Sequence, residues 1–336
     1  MNSERYIINW LNISIGFLLM MIFVGGVTRL TDSGLSMVNW KPVTGLFPPV
    51  NEEQWIASFE EYKYYPEYEV TNYNISLSDY KYIYIWEYIH RILGRLIGLL
   101  FFIPFSFFLI RGYLSKELIP KLLFVFILGG CQGFLGWYMV KSGLVDIPHV
   151  SHYRLASHLL LAFIILGLVY KIKLSLIMKT QNRILNYNYY KNFINIIIAM
   201  LYLQIIYGAF NAGLKTVNTI NTFPFYGADI IPANLLTLRP FYLNFLENHS
   251  SIQLIHRYFA LIILILVSIF SYKLSFIKHR VNIYIQYFLL IVFSQAMLGV
   301  LTLVASAPII FSSTHQMLAA FLIMLSFKIK HMLGYE

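Results

Sequence analysis

Four histidines, His90, His158, His256 and His315, stand inside or at the mouths of long apolar runs. Ionisable residues in such surroundings are costly and usually functional. A neutral imidazole is a good iron ligand. Two imidazoles from facing helices can clamp a porphyrin, whose apolar ring suits a lipid-like interior. A lone intramembrane histidine is more often a helix–helix hydrogen bond, but these four recur as pairs. His90-Arg91 and His256-Arg257 are 166 residues apart, and Ser157-His158 and Thr314-His315 are 157 apart. Zinc or copper usually wants three or four ligands closing on one point. Two histidines per repeat, with no Cys or carboxylate cluster, fit a planar haem better. Arg91, Arg95 and Arg257 beside these histidines are candidate partners for haem propionates, because guanidinium matches carboxylate bidentately. His149, His152, His249, His279 and His331 read as loop or interface residues.

The two repeats differ at one position. Glu87 precedes His90 by three residues and shares its helix face; Gln253 precedes His256 in the same way. A carboxylate suits proton transfer or the trapping of a cationic intermediate. An amide suits a structural or electron-relaying site. The plainer reading of Glu87 is a cap on the second span, where an acid near a helix N-terminus is favourable.

The elements that position these residues are membrane helices. Of the 336 residues, 58% are hydrophobic and only 12% charged, against about 45–50% and about 25% in soluble chains. A span needs about 20 apolar residues. Eight runs qualify: 8–28, 86–110, 121–140, 153–172, 192–213, 252–272, 283–304 and 312–330. The net charge of +10 reads as a topology signal rather than a nucleic-acid surface, because the cations cluster in short loops. Fourteen of the 25 Lys and Arg fall on one side if the N-terminus is cytoplasmic, which makes both termini cytoplasmic. The long connections 29–85 and 214–251 then lie outside. The first carries Glu52, Glu53, Glu60, Glu61, Glu67 and Glu69 and can cap the outer mouth. Trp10, Trp86 and Trp137 suit interfacial belts, and Cys131 reads as a packing residue inside an apolar run.

The repeat extends to Gln132-Gly-Phe-Leu-Gly136 and Gln295-Ala-Met-Leu-Gly299, 163 residues apart. Four spans per repeat is an even number, so both halves face the same way. The expectation is an all-α integral membrane fold of two four-helix bundles related by a pseudo-twofold axis along the membrane normal. The halves divide as 1–180 and 181–336. Gly25, Gly26, Gly94, Gly98, Gly129, Gly130, Gly133 and Gly136 are expected where helices approach closely.

These residues compose longer motifs. Gly25-Gly-Val-Thr-Arg-Leu-Thr-Asp-Ser-Gly-Leu-Ser36 leads to Trp40-Lys-Pro42 and Pro48-Pro49. Glu87-Tyr-Ile-His-Arg-Ile-Leu-Gly-Arg95 follows, then Gly136-Trp-Tyr-Met-Val-Lys-Ser-Gly-Leu144 and Tyr153-Arg-Leu-Ala-Ser-His158. The second half adds Asn221-Thr-Phe-Pro224, Glu247-Asn248, Gln253-Leu-Ile-His-Arg257 and His315-Gln316. Together they resemble the haem A synthase family, in its α-proteobacterial and mitochondrial form, over nearly the whole chain. The resemblance implies a substrate haem o ligated by His90 and His158, a haem b ligated by His256 and His315, and an essential acid at Glu87. The implied reaction oxidises the C8 methyl of haem o to a formyl group through successive hydroxylations. Some relatives carry a cysteine pair in the first outer loop; residues 29–85 hold none. The implied partners are haem o, a haem O synthase that supplies it, membrane lipid, and an electron-transfer partner that no motif names. The absence of a transit peptide points to a bacterial inner membrane. Two rival readings are a b-type dihaem electron-transfer cytochrome and a haem transport or oxidase-assembly scaffold. The first does not account for the Glu87/Gln253 difference, and the second predicts labile haem and no formyl product.

Overall fold

The computed structural model describes residues 2–38, 47–144, 150–177, 188–232, 234–276 and 281–333. Trp40-Lys41-Pro42, His149 and His279 lie outside them. Ten α-helices follow in order: α1 (Asn2–Leu30), α2 (Glu52–Tyr62), α3 (Pro66–Val70), α4 (Leu77–Ile110), α5 (Leu118–Gly143), α6 (His152–Ile177), α7 (Asn188–Gly213), α8 (His249–Ser275), α9 (Val281–Val304) and α10 (Ile309–Leu333). Eight of them are long and apolar enough to cross a membrane. Each contains one of the eight expected spans, and no strand occurs among the described residues. Large side chains on them stay exposed, including Ile103, Phe124, Phe134 and Leu290. A lipid solvent accounts for that outward face.

Contacts divide the chain into two compact units, residues 16–154 in one and residues 1–15 with 155–336 in the other. In the second unit α7, α8, α9 and α10 form a closed ring, each packed on two neighbours. The buried seam shows heptad spacing. On α9 it runs Val281, Ile285, Phe288, Val292, and on α8 Ile263, Val267, Phe270, Leu274. Steps of four and three keep one stripe facing the bundle axis. Phe193 of α7 stacks on Phe270 at 5.1 Å, closing this end. Continued at the same spacing, the α9 stripe reaches Gln295 and Gly299, and the α8 stripe reaches His256. One end of the seam is therefore aliphatic and aromatic, and the other end carries the chemistry.

In the first unit α4 packs on α5, through Phe101, Phe102 and Phe105 against Phe126. The α4 helix starts nine residues before the expected span. A capping box starts it: the Ser76 hydroxyl accepts from Asp79 N–H, and the Asp79 carboxylate takes the Ser76 N–H. Such boxes satisfy N-terminal amides that would otherwise lack partners. The added turns are rich in tyrosine, so hydropathy does not mark them, yet they hold the outer cap. Phe59 and Tyr62 of α2 pack on Tyr80 and Tyr84 of α4, with Met37 beneath.

The acidic outer segment is not uniformly solvated. Glu67 is only 5% exposed and accepts a 2.9 Å hydrogen bond from the Tyr62 hydroxyl, which in turn accepts from Asn72 Nδ2. Burial pushes the Glu67 carboxyl up to about 8, and the Glu87 and Asp32 carboxylates add to the rise. Three other expectations change with packing. Trp10 is buried rather than interfacial, because its face of α1 turns inward. Cys131 is exposed, on an outward face of α5. Gly98, Gly129, Gly130 and Gly133 have nothing within 4 Å of where a Cβ would stand, so they mark no close helix approach.

A carboxyl whose folded value is raised holds its proton more tightly in the folded state. Its stabilising contribution is complete below about 4.5 and is lost as pH rises through about 8. Thermal unfolding of the wild type, followed across that window, should show stability falling with pH. Glu67→Gln should flatten that slope; an unchanged slope would remove Glu67 from the effect.

Candidate functional site

The first candidate centre is assembled by the end of α1. The helix stops where Asp32 takes a left-handed backbone (φ 48°), a conformation that Asp tolerates better than most residues. The Ser33 N–H returns to the Thr28 carbonyl at 2.9 Å, and Arg29 pairs with Asp32 at 2.9 Å. This turn sends residues 33–38 back across α4. There the Ser36 hydroxyl donates to Glu87 Oε2 at 2.7 Å and the Met37 N–H donates to the same oxygen at 2.8 Å. Arg91 Nη2 donates to Glu87 Oε1 at 2.5 Å and to the Met37 carbonyl at 2.9 Å. Glu87 is 2% exposed. A buried carboxylate persists when paired and fully hydrogen-bonded, and three donors do that here. The capping role is excluded: Ser76 and Asp79 cap α4, and Glu87 lies ten residues inside the helix.

His90 lies one turn further along α4, against α1. A Cβ at Gly25 would stand 2.9 Å from His90 Cε1, so the glycine makes room for the ring. His90 is the fourteenth residue of α4 rather than its opening, because the helix begins early. Arg95 follows Arg91 by one turn and is half-buried. His158 lies in α6, six residues after its start.

In the second unit His256 of α8 faces α7, and His315 of α10 faces α9. A Cβ at Gly208 would lie 3.2 Å from His256 Cε1, and one at Gly299 3.0 Å from His315 Cε1. Gln204 Nε2 donates to the His256 carbonyl at 2.9 Å and lies 3.4 Å from its Nε2. Gln295 Nε2 lies 3.4 Å from His315 Nε2. The two imidazoles are near enough to interact electrostatically. Nδ1 of each is buried without a hydrogen-bond partner. A buried nitrogen left unmatched is expensive, and iron ligation is one way to satisfy it. Among the described residues no three of His, Cys, Asp or Glu converge on one point.

The Glu87–Arg91 device has a counterpart. Arg257 Nη2 donates to Gln253 Oε1 at 3.0 Å and to the Thr222 carbonyl at 2.8 Å. Gln253 Nε2 donates to the Ile220 carbonyl at 2.8 Å. In both halves the arginine after the histidine bridges the residue three before it to a carbonyl of the preceding outer loop. The polarity differs: a carboxylate receives loop donors, and an amide gives its hydrogen to the loop. Arg257 also lies over the Tyr226 ring at 4.2 Å.

Ser36, Met37, Gln204 and Gly208 were absent from the sequence-derived set. For the last two a signal existed: Gln204-Ile-Ile-Tyr-Gly208 repeats the Gln-x-x-x-Gly spacing of 132–136 and 295–299. Met21 holds the glutamine position ahead of Gly25 on α1, with its Cε 3.5 Å from where a Cβ at Gly94 would stand. Of the lesser histidines, His152 is buried against Tyr153, and His249 Nδ1 lies 3.3 Å from Thr219 Oγ1.

A family model described as cytochrome oxidase assembly protein (COX15-CtaA) matches residues 8–327. Proteins named haem A synthase are similar over most of their length. That of Wolbachia pipientis wMel is 44% identical over 308 residues, 91% of this chain and 87% of the relative. That of Ehrlichia ruminantium (strain Gardel) is 42% identical over 326 residues, 96% and 91% of the two chains. That of Nitrosospira multiformis is 40% identical over 317 residues, 93% and 89%.

Gly25→Ala should force the His90 ring to move, at a cost of about 1–3 kcal/mol, and weaken absorbance from any haem bound there. Gly129→Ala meets open space and should be neutral or stabilising by up to about 1 kcal/mol. Thermal unfolding with absorbance spectra checks both, and equal behaviour of the two variants would refute the steric role.

Proposed function

We propose that this chain, which belongs to the COX15-CtaA family of cytochrome oxidase assembly proteins, synthesises haem A by oxidising haem o in the bacterial inner membrane. The relatives' shared name and their coverage of the chain support the synthase reading over a passive cytochrome or a scaffold. The observation that carries the chemistry is Glu87. It is a buried carboxylate pinned by three donors, three residues before His90, where the second half has an amide.

In this reading His90 and His158 ligate the substrate haem, and His256 and His315 ligate haem b. Arg95 and Arg257 lie toward the propionates, and Arg91, expected beside them, is held by Glu87 instead. Haem b, when bound, supplies a one-electron couple. The buried His256 and His315 imidazoles, each with an unmatched nitrogen and a glycine on the facing helix, suit that ligand. In two rounds, each adding one water oxygen and releasing two protons and two electrons to an external acceptor, the C8 methyl of haem o becomes a hydroxymethyl and then a geminal diol, which loses water to leave the formyl group. Glu87 receives a proton at its carboxylate as the methyl carbon is oxidised. Arg91 and the Ser36 and Met37 donors fix both oxygens, so the acid does not reorient between the two rounds. If His90 and His158 both stay on the substrate iron, oxygen cannot bind there without one leaving; a base beside the methyl then matters more than an iron-bound oxidant. The two-bundle organisation split at 180/181, the cytoplasmic termini and the haem O synthase contact belong to the same proposal. The repeat and the short-loop cations support the first two.

Coexpression with a haem O synthase, followed by extraction and mass analysis of non-covalent haem, should yield a hydroxymethyl or formyl product; unmodified haem alone would leave a cytochrome or carrier. Glu87→Gln should keep haem binding and lower haem A yield by at least about a hundredfold. Wild-type yield from that variant would take Glu87 out of the chemistry. His256→Ala should lose the b-type absorbance while circular dichroism stays helical. Retained b-type bands would mean a different ligand.

A further inference from the structure

Within the first unit a cavity of about 270 Å³ opens between the loop at Met37, Arg91 of α4, and Trp137, Val140, Lys141 and Leu144 near the end of α5. It is just under the usual range of ligand sites, enough for a carboxyethyl arm and the ring edge that bears it. Two cations reach its wall, and they are not equivalent. Arg91 is charge-matched by Glu87, with Nη2 divided between that acid and the Met37 carbonyl. Lys141 makes no ion pair among the described residues, and its Nζ lies 5.0 Å above the Trp137 ring, one turn back on the same helix.

The second half shows why a second cation belongs here. There the arginine after the histidine faces Gln253, an uncharged partner, and its Nε and Nη1 are buried without a hydrogen bond. No acid among the described residues pairs with it, so its charge can serve a ligand carboxylate. In the first half Glu87 takes that charge away. The residue five beyond the Gln-x-x-x-Gly glycine is Lys141 in the first half and Val304 in the second. The half that spends its arginine on an acid gains a lysine, and the half that does not has a valine.

We propose that Lys141 is a substrate-positioning residue that binds a propionate carboxylate of the porphyrin at this cavity, in the place Arg91 cannot fill while paired with Glu87. The proposal rests on the reading of the His90 and Glu87 site as the substrate site. Trp137 holds the lysine stem upright through its ring face, and the Nζ ammonium donates to the propionate. The tetrapyrrole is thereby held at its outer edge. The plainer role of Lys141, a cation complementing the C-terminus of α5, predicts no dependence on the ligand's charge.

The test is a titration of the purified full chain, its second-half site already filled with haem b, with haemin and with haemin dimethyl ester. Binding is followed in the Soret band. Lys141→Gln should weaken haemin binding about tenfold and leave the diester unchanged, and Lys141→Arg should restore the diacid affinity. Equal losses for diacid and diester would make Lys141 a purely structural residue, and no loss for either would remove it from binding. Either result overturns the proposal while the substrate site stands. A wild-type protein that takes up neither porphyrin beyond its resident haem would overturn the substrate-site reading itself.

Discussion

A carboxylate surrounded by apolar helices must find its counter-charge and its donors from the protein, because no water supplies them. Glu87 meets this requirement with one residue of its own helix and two from the chain that leaves α1. The demand propagates outward. Residues 33–38 must return over α4, which requires the left-handed turn at Asp32. Met37 then lies under the aromatic cap formed by Phe59, Tyr62, Tyr80 and Tyr84, so the outer helices and the buried acid are one construction. Removing the acid's partners would leave a buried charge, the costliest defect available to such a fold.

The second unit solves the same geometric problem without the charge. Gln253 occupies the equivalent position, and the loop at 220–222 presents carbonyls instead of donors. Each loop is matched to the head group it meets. Exchanging Glu87 and Gln253 would put acceptor against acceptor in one half and donor against donor in the other. Duplication has preserved a scaffold of histidine, arginine and glycine while the one variable group came to differ between the halves.

Much of this was legible in the sequence, for a physical reason. Lipid forces about 20 apolar residues per crossing, so α1 and α5–α10 declare themselves, and histidines inside such runs stand out. The Glu87/Gln253 difference needed only the helical repeat. The early start of α4 was hidden, because Tyr80, Lys81, Tyr82 and Tyr84 form a turn that hydropathy reads as loop. The Ser36 and Met37 donors were hidden too, since a contact 50 residues apart in sequence depends on a turn no periodicity records. Glycine was over-read: the run at 129–133 looks like a packing seam and faces open space, whereas Gly208 and Gly299, against the histidine rings, carry the close approach.

The seam of the second unit also has a directional consequence. Its stripe is filled by Ile, Val, Phe and Leu through one half of the bundle and passes to Gln, Gly and His in the other. The filled half is mostly apolar along Val267, Phe270, Leu274 and Ile285, with Ser271 and Gln286 hydrogen-bonded to each other beside it. Among the described residues, protons and water have the more polar approach to His256 and His315 from the loop-bearing end. A redox group held there would equilibrate chiefly with one aqueous phase, so conditions on that side of the membrane would weigh most on its potential.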